Sequence, residues 1–164
     1  MAILSTVGIT VLVFSAAPVA AEHSATQGRT LYVTLSMGIH GSRSGLYVTD
    51  RTNLPDRTFL MLDFASKKEV DLPPNACICG AYLRQAKLHV HRGHFRSPRF
   101  TFHGGPFPRG GHFRASVITP FTGLQPASVQ IVFGLHGKNL RGPLIKRDLG
   151  DRLVEPPPVW ITVR

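Results

Sequence analysis

The sequence predicts an all-β protein, built as an antiparallel β-sandwich of about seven strands. Three observations support this fold class. Short segments alternate apolar and polar residues with a period of two, which is typical of half-buried strands. The 164 residues include 16 glycines and 13 prolines, which disfavour long helices. Hydrophobic residues make up 43% of the chain, which is enough to form the core of one domain.

The first half of the chain contains three predicted strands. Residues 31–37 alternate Leu, Val, Leu and Met with more polar residues, which predicts a half-buried strand. Residues 38–45 are rich in glycine and serine and are predicted to be a loop, followed by a short strand at 46–48. The Asn, Pro and Asp residues of 52–56 favour a turn. The strand that follows at 59–64 is apolar except for Asp63, which indicates that both of its faces are partly covered.

The middle of the chain predicts a β-hairpin. Residues 80–91 and 94–103 both show strand-like alternation, and they flank the pair Arg92 and Gly93. A two-residue connection that contains glycine, between alternating segments, favours a tight turn that pairs the two strands. We therefore expect side chains of the same parity on these two strands to share one face.

The last part of the chain contains two further strands and one ambiguous segment. Residues 112–119 alternate as a sixth strand, and 159–163 form a seventh. Residues 124–133 fit a short helix, since Pro126 suits its start and Gly134 its end. The same segment also fits a strand because it contains β-branched residues, so both alternatives stay open at this point.

The N-terminal residues 1–21 predict a secretory signal peptide. They contain no charged side chain, and a short apolar core at 9–14 precedes small residues that fit cleavage after Ala21. The alternative is a retained membrane anchor, which Pro18 disfavours. The mature chain, 22–164, is then expected to be one domain without a membrane span, in the periplasm or secreted.

Three stretches resemble exported Ig-like domains of bacteria. Residues 49–62 resemble an Asn-Leu-Pro-Asp-Gly-Thr turn that leads into a strand, with Arg57 in place of the glycine. Residues 91–120 resemble the strand, glycine turn and strand that follow, and 124–144 resemble the tail of one uncharacterised subset. Together they cover about half of the mature chain. The resemblance implies an Ig-like or transthyretin-like β-sandwich in the bacterial envelope, and it implies no catalytic activity.

The charge of the chain is concentrated in its middle. The net charge is +10, and residues 72–147 contain no Asp or Glu, whereas they contain eleven Lys and Arg and six His. A surface of this kind attracts anions, and guanidinium groups suit phosphate and carboxylate. The alternative is that these bases only keep the surface solvated. From the parity of the expected hairpin and of the sixth strand, the predicted anion-binding face consists of Lys87, His89, His91, Arg92, His94, Arg96, His112 and Arg114.

The ligands expected for this face follow from export. Lipopolysaccharide, anionic lipids and acidic glycans are the polyanions of an envelope, and an envelope protein is a further candidate partner. Because nucleic acid belongs to another compartment, no specific nucleic acid is expected. The oligomeric state is not predicted by any feature of the sequence.

A metal site is the alternative function. Cys77 and Cys79, and likewise His89 and His91, are each separated by one residue, which places each pair on one face of a strand. Thiolate and imidazole together suit copper or zinc. Spacing by one residue is a weaker signal than paired Cys-x-x-Cys motifs, so a periplasmic copper- or zinc-binding protein is the second hypothesis.

Enzymatic activity is not expected. The sequence contains no G-x-S-x-G or H-E-x-x-H motif, and its glycine pairs are not followed by a helix that would bind phosphate. It therefore predicts no catalytic residue and no cofactor.

Overall fold

The computed structural model describes residues 29–67 and 82–164, and within them the protein is mostly β-structure. Eleven strands, one α-helix and two short 3-10 helices, η1 and η2, follow one another along these ranges. In chain order they are β1 (Leu31–Tyr32), β2 (Gly38–Ser42), β3 (Gly45–Arg51), β4 (Phe59–Ser66), β5 (Leu83–His89), β6 (His94–Arg96), β7 (His112–Ile118), η1 (Thr122–Leu124), α1 (Ala127–Phe133), η2 (Leu135–Gly137), β8 (Leu140–Arg141), β9 (Ile145–Asp148), β10 (Asp151–Val154) and β11 (Val159–Thr162).

Two antiparallel sheets form the body of the molecule. The larger sheet has the order β11-β7-β4-β5, and the smaller sheet has the order β2-β3-β6. Two small pairs complete the described β-structure: β1 lies parallel to β8, and β9 lies antiparallel to β10. The all-β fold with antiparallel sheets is therefore confirmed.

The core lies between the two sheets. Alternate residues of β4 and β7 are buried, and so are Leu46 and Val48 of β3. Phe64 of β4 occupies the centre, because its ring stacks on Phe100 at 5.0 Å and on Phe113 at 5.8 Å between ring centroids. Phe100 is hydrogen-bonded through its backbone to Leu46 on the smaller sheet. Aromatic packing of this kind joins the two sheets into one sandwich.

The prediction that the strands on either side of Arg92 and Gly93 pair as a hairpin is wrong. The strand that precedes this turn, β5, pairs with β4 in the larger sheet, whereas the strand that follows it, β6, pairs with β3 in the smaller sheet. Between these strands the structure has one isolated bridge, from His91 to His94. The chain crosses here from one sheet to the other, so the alternation was read correctly but the pairing partner was not.

Several element boundaries also differ from the predictions. The expected loop at 38–45 is a paired hairpin of β2 and β3, because its glycines and serines still hydrogen-bond along the backbone. The predicted strand at 31–37 continues past Tyr32 as an isolated bridge at Leu35, and the predicted strand at 94–103 ends at Arg96. Short strands at 140–154 were not predicted.

The ambiguous segment is a helix. Residues Ala127–Phe133 form α1, with Pro126 at the N-cap and Gly134 at the C-cap. Gly134 has a φ of 70°, a conformation that glycine adopts without steric cost. Val129 and Phe133 are buried against the core, so tertiary packing selects the helix over the strand.

Two predictions lie outside the described residues. These are the signal peptide at 1–21 and the metal hypothesis insofar as it rests on Cys77 and Cys79. Within the described ranges, no helix is long and apolar enough to cross a membrane.

Candidate anion-binding face

The structure distributes the predicted anion-binding residues over two sheets. Lys87 and His89 lie on β5, and His112 and Arg114 lie on β7, so these four belong to the larger sheet. They share its outer surface, but β4 separates the two strands. The predicted face also required the sixth predicted strand, 112–119, to lie beside the hairpin. This expectation is wrong, because β4 separates β7 from β5 and β6 belongs to the other sheet.

The remaining predicted residues lie elsewhere. His94 and Arg96 belong to β6 in the smaller sheet, and they are exposed on its outer surface. His91 and Arg92 lie in the connection between the two sheets. The predicted face is divided because a sequence shows which side of a strand a residue occupies but not which sheet the strand joins.

The outer surface of the smaller sheet gathers basic side chains that the sequence analysis did not group. On β3, Tyr47 and Arg51 alternate with the buried Leu46 and Val48, so they point away from the core. Their partners across the sheet are His40 on β2 and His94 on β6. We call this surface the basic face, and define it by His40, Tyr47, Arg51, His94, Arg96 and Arg99.

The centre of the basic face is an aromatic stack. The guanidinium carbon of Arg96 lies 4.2 Å from the centroid of the Tyr47 ring. The imidazole of His40 stacks against the same ring, with centroids 5.8 Å apart and planes inclined by 27°. The phenol ring thus holds a cation and an imidazole in fixed positions through cation–π and stacking contacts. Because Arg96 covers the Tyr47 ring, the main role of this ring is to orient the Arg96 guanidinium.

Arg99 extends the basic face toward the turn between β2 and β3. A Cβ atom on Gly45 would lie 2.1 Å from Arg99 Nε, so the arginine side chain lies directly on the outer side of this glycine. Arg99 Nη2 also donates a hydrogen bond of 2.9 Å to Ser44 Oγ. From Gly45 to Arg51 the strand measures ~20 Å, and the basic groups are spread along this length.

None of the strands of the smaller sheet places an acidic side chain on the basic face. Asp50 on β3 pairs with the buried Phe95, so it belongs to the inner side of the sheet. The ion pairs within 29–67 and 82–164 join His136 to Asp151 and Lys146 to Glu155, and neither contains a residue of the face. The three arginines of the face are therefore available to an external anion.

The outer surface of the larger sheet has a different character. Lys87 Nζ lies 3.6 Å from the centroid of the Phe59 ring, which is a cation–π contact like that of Arg96 with Tyr47. Asp63 accepts a hydrogen bond from Gln85 on the same surface. Met61 is 48% exposed and Trp160 is 50% exposed. This surface mixes apolar groups with both signs of charge.

The metal hypothesis is only partly addressed by the structure. His89 is exposed on β5, and its ring packs edge-on against Phe59, with centroids 4.6 Å apart. Across the described ranges, no cluster of three or more His, Cys, Asp or Glu side chains has the arrangement of a metal site. The two cysteines lie outside those ranges, so the hypothesis stays a prediction.

Four residues of the basic face were missed by the sequence analysis. Tyr47 carried a usable signal, because it lies between Leu46 and Val48 in a predicted strand, whereas Arg51 lies beyond the predicted end of that strand. His40 was hidden in a segment predicted as a loop, and Arg99 was assigned to a predicted strand that ends at Arg96. Comparison with protein-family models, with curated proteins and with solved structures found no match, so the function is argued from this geometry.

Proposed function

We propose that this protein is an exported, non-enzymatic module that binds anionic polymers of the bacterial envelope through the basic face. The proposal keeps the predicted class of function and moves its site from the expected hairpin to the smaller sheet. The predicted signal peptide supports export, and the resemblance to exported Ig-like domains supports the envelope as its location. A periplasmic or secreted protein meets lipopolysaccharide, anionic lipid and acidic glycan.

One observation carries the proposal: three arginines and two histidines share one surface on which β2, β3 and β6 place no acidic side chain. None of these five residues forms an ion pair with an acid of the described chain. Exposed surface cations are usually interspersed with acids, which limits the potential that they generate. On the basic face the electrostatic potentials of the cations add. A polymer with repeated negative charges therefore binds more tightly, because it contacts several cations at once. A planar guanidinium held against Tyr47 keeps the edges of its fork available for an oxyanion.

The test is elution from immobilised heparin, a sulfated polysaccharide, along a salt gradient. The first variant combines Arg51→Gln, Arg96→Gln and Arg99→Gln. The matched variant combines Lys87→Gln, Arg109→Gln and Arg114→Gln, which removes the same charge from other parts of the surface. At about 1 kcal/mol for each charge near an anionic surface, the first variant should lose roughly a hundredfold in affinity.

The comparison between the two variants decides the outcome. Earlier elution of the first variant than of the matched one supports the proposal, and the slope of log affinity against log salt should fall by about two to three for the first variant. Equal elution of the two variants would show that net charge, not the basic face, governs binding, and would overturn the proposal. Repeating the measurement with lipopolysaccharide vesicles distinguishes an envelope lipid from a soluble glycan.

A further inference from the structure

A cleft formed by residues C-terminal to those of the basic face supports a second, independent inference. It has a volume of about 680 Å³ and lies between η1, α1, η2 and the start of β10. Polar side chains in its lining include His136, Lys138 and Asp151, and its apolar wall includes Ile131 and Leu135. None of these residues contributes to the basic face.

The polar end of the cleft is organised by Asp151. This side chain is 6% exposed, and its Oδ2 accepts a hydrogen bond of 2.9 Å from the backbone N–H of Thr122. Its Oδ1 lies 2.5 Å from His136 Nδ1. Burial opposes ionisation of Asp151, but the hydrogen bonds from Thr122 and His136 outweigh it, and the pKa of this carboxyl lies below its ordinary value.

The ionised carboxylate fixes the proton on the imidazole. Because Asp151 accepts, His136 Nδ1 is the donor, and Nε2 is the nitrogen left for a ligand. When the ring carries a proton on both nitrogens, Nε2–H is a donor as well. The His136 side chain remains 64% exposed, so this nitrogen is accessible.

The backbone holds His136 in this position. Its φ is 53°, a left-handed conformation, and it lies between Gly134 and Gly137, whose φ values are 70° and 68°. A Cβ on Gly137 would lie 2.5 Å from the carbonyl oxygen of Arg152, so the loop packs tightly against β10. A left-handed non-glycine residue costs ~1 kcal/mol or more, and it persists where surrounding contacts determine it.

We propose that this cleft binds a small organic acid, with its oxyanion head at His136 Nε2 and Lys138 and its apolar body against Ile131 and Leu135. Asp151 is the acidic residue of the lining, and its charge is directed at Thr122 and His136. His136 Nε2–H and the Lys138 ammonium are therefore the donors that the cleft offers to one anion. Leu135 is 72% exposed, which favours a ligand with an apolar part.

The test follows the imidazole nitrogens of the mature protein, labelled with ¹⁵N-histidine, by NMR during titration with benzoate at about pH 6. The expected result is a saturable shift of His136 Nε2. Acetate should bind roughly tenfold more weakly because it lacks the apolar ring. Inorganic phosphate, which has the charge without the ring, serves as the second comparison. Equal binding of acetate and benzoate overturns the proposal, and so does a shift without saturation.

Variants locate the binding in the cleft, and their benzoate affinity is measured by isothermal titration calorimetry because His136→Asn lacks the reporter imidazole. His136→Asn removes the imidazole and keeps the loop, because asparagine tolerates a positive φ, and it should abolish benzoate binding. Lys138→Gln should weaken binding about tenfold through loss of a charge-assisted contact. Arg109→Gln is the matched control at a remote exposed cation, and it should leave benzoate affinity unchanged. Wild-type affinity in His136→Asn would overturn the proposal, and none of these results depends on the basic face.

Discussion

The outer surfaces of the two sheets differ in how their charges are arranged. On the smaller sheet, Arg51, Arg96 and Arg99 lie on a surface on which its strands place no acidic side chain. On the larger sheet, Lys87 rests on the Phe59 ring, and Asp63 lies on the same surface. The two surfaces have similar numbers of bases, yet only the smaller sheet presents them unopposed. The placement of acids and aromatic rings, more than the count of bases, distinguishes a candidate binding surface.

The largest expected effect is a loss of stability when a residue of the core shared by both sheets is truncated. Phe64→Ala deletes a ring that stacks on Phe100 and Phe113 between the sheets. The free energy of unfolding should fall by about 3–5 kcal/mol, as measured by urea denaturation. Met61→Ala, on the exposed side of the same strand, should change it by about 0.5 kcal/mol. Similar losses in both variants would contradict the assignment of Phe64 to the shared core.

A smaller effect tests the position of one arginine. In Gly45→Ala, the new Cβ would lie 2.1 Å from Arg99 Nε, so the guanidinium must move off the face. Heparin affinity should fall roughly fivefold, the value of one misplaced charge, while stability changes little. Gly105→Ala is the control, because its Cβ would lie 3.6 Å from Phe102 O, an ordinary van der Waals contact. If Gly45→Ala elutes from heparin with the wild type, Arg99 is not part of the binding surface.

The smallest expected effect lies outside both surfaces, at Asp151. Its pKa is lower in the folded protein than the ordinary 3.8, so its contribution to stability is present above that pH and is lost as the pH falls through the folded-state pKa. Asp151→Asn should therefore be less stable at about pH 7, and the difference from wild type should shrink toward about pH 3. Urea denaturation at both pH values measures this. Asp63→Asn, on the larger sheet, should show a smaller difference, and an equal one would contradict the special role of Asp151.

Much of the fold was predictable because it depends on local pattern. The strands at 59–64 and 112–119 form close to their predicted positions, since alternation with a period of two reflects burial on one side. The basic face was predictable only in part. His94 and Arg96 were identified, but they were grouped with Lys87 and His89, which belong to the other sheet. No local pattern in the sequence specifies that crossing.

The sequence by itself determined the all-β class, the excess of positive charge and the side of each strand on which a residue lies. These properties follow from composition and from the geometry of an extended chain. The tertiary structure decided which strands are neighbours, and therefore which charges meet. Neighbouring strands are selected by the burial of Phe64, Phe100 and Phe113 between the sheets, and this packing depends on residues far apart in the chain. It brings His94 and Arg96 beside Tyr47 and Arg51, and so forms the basic face.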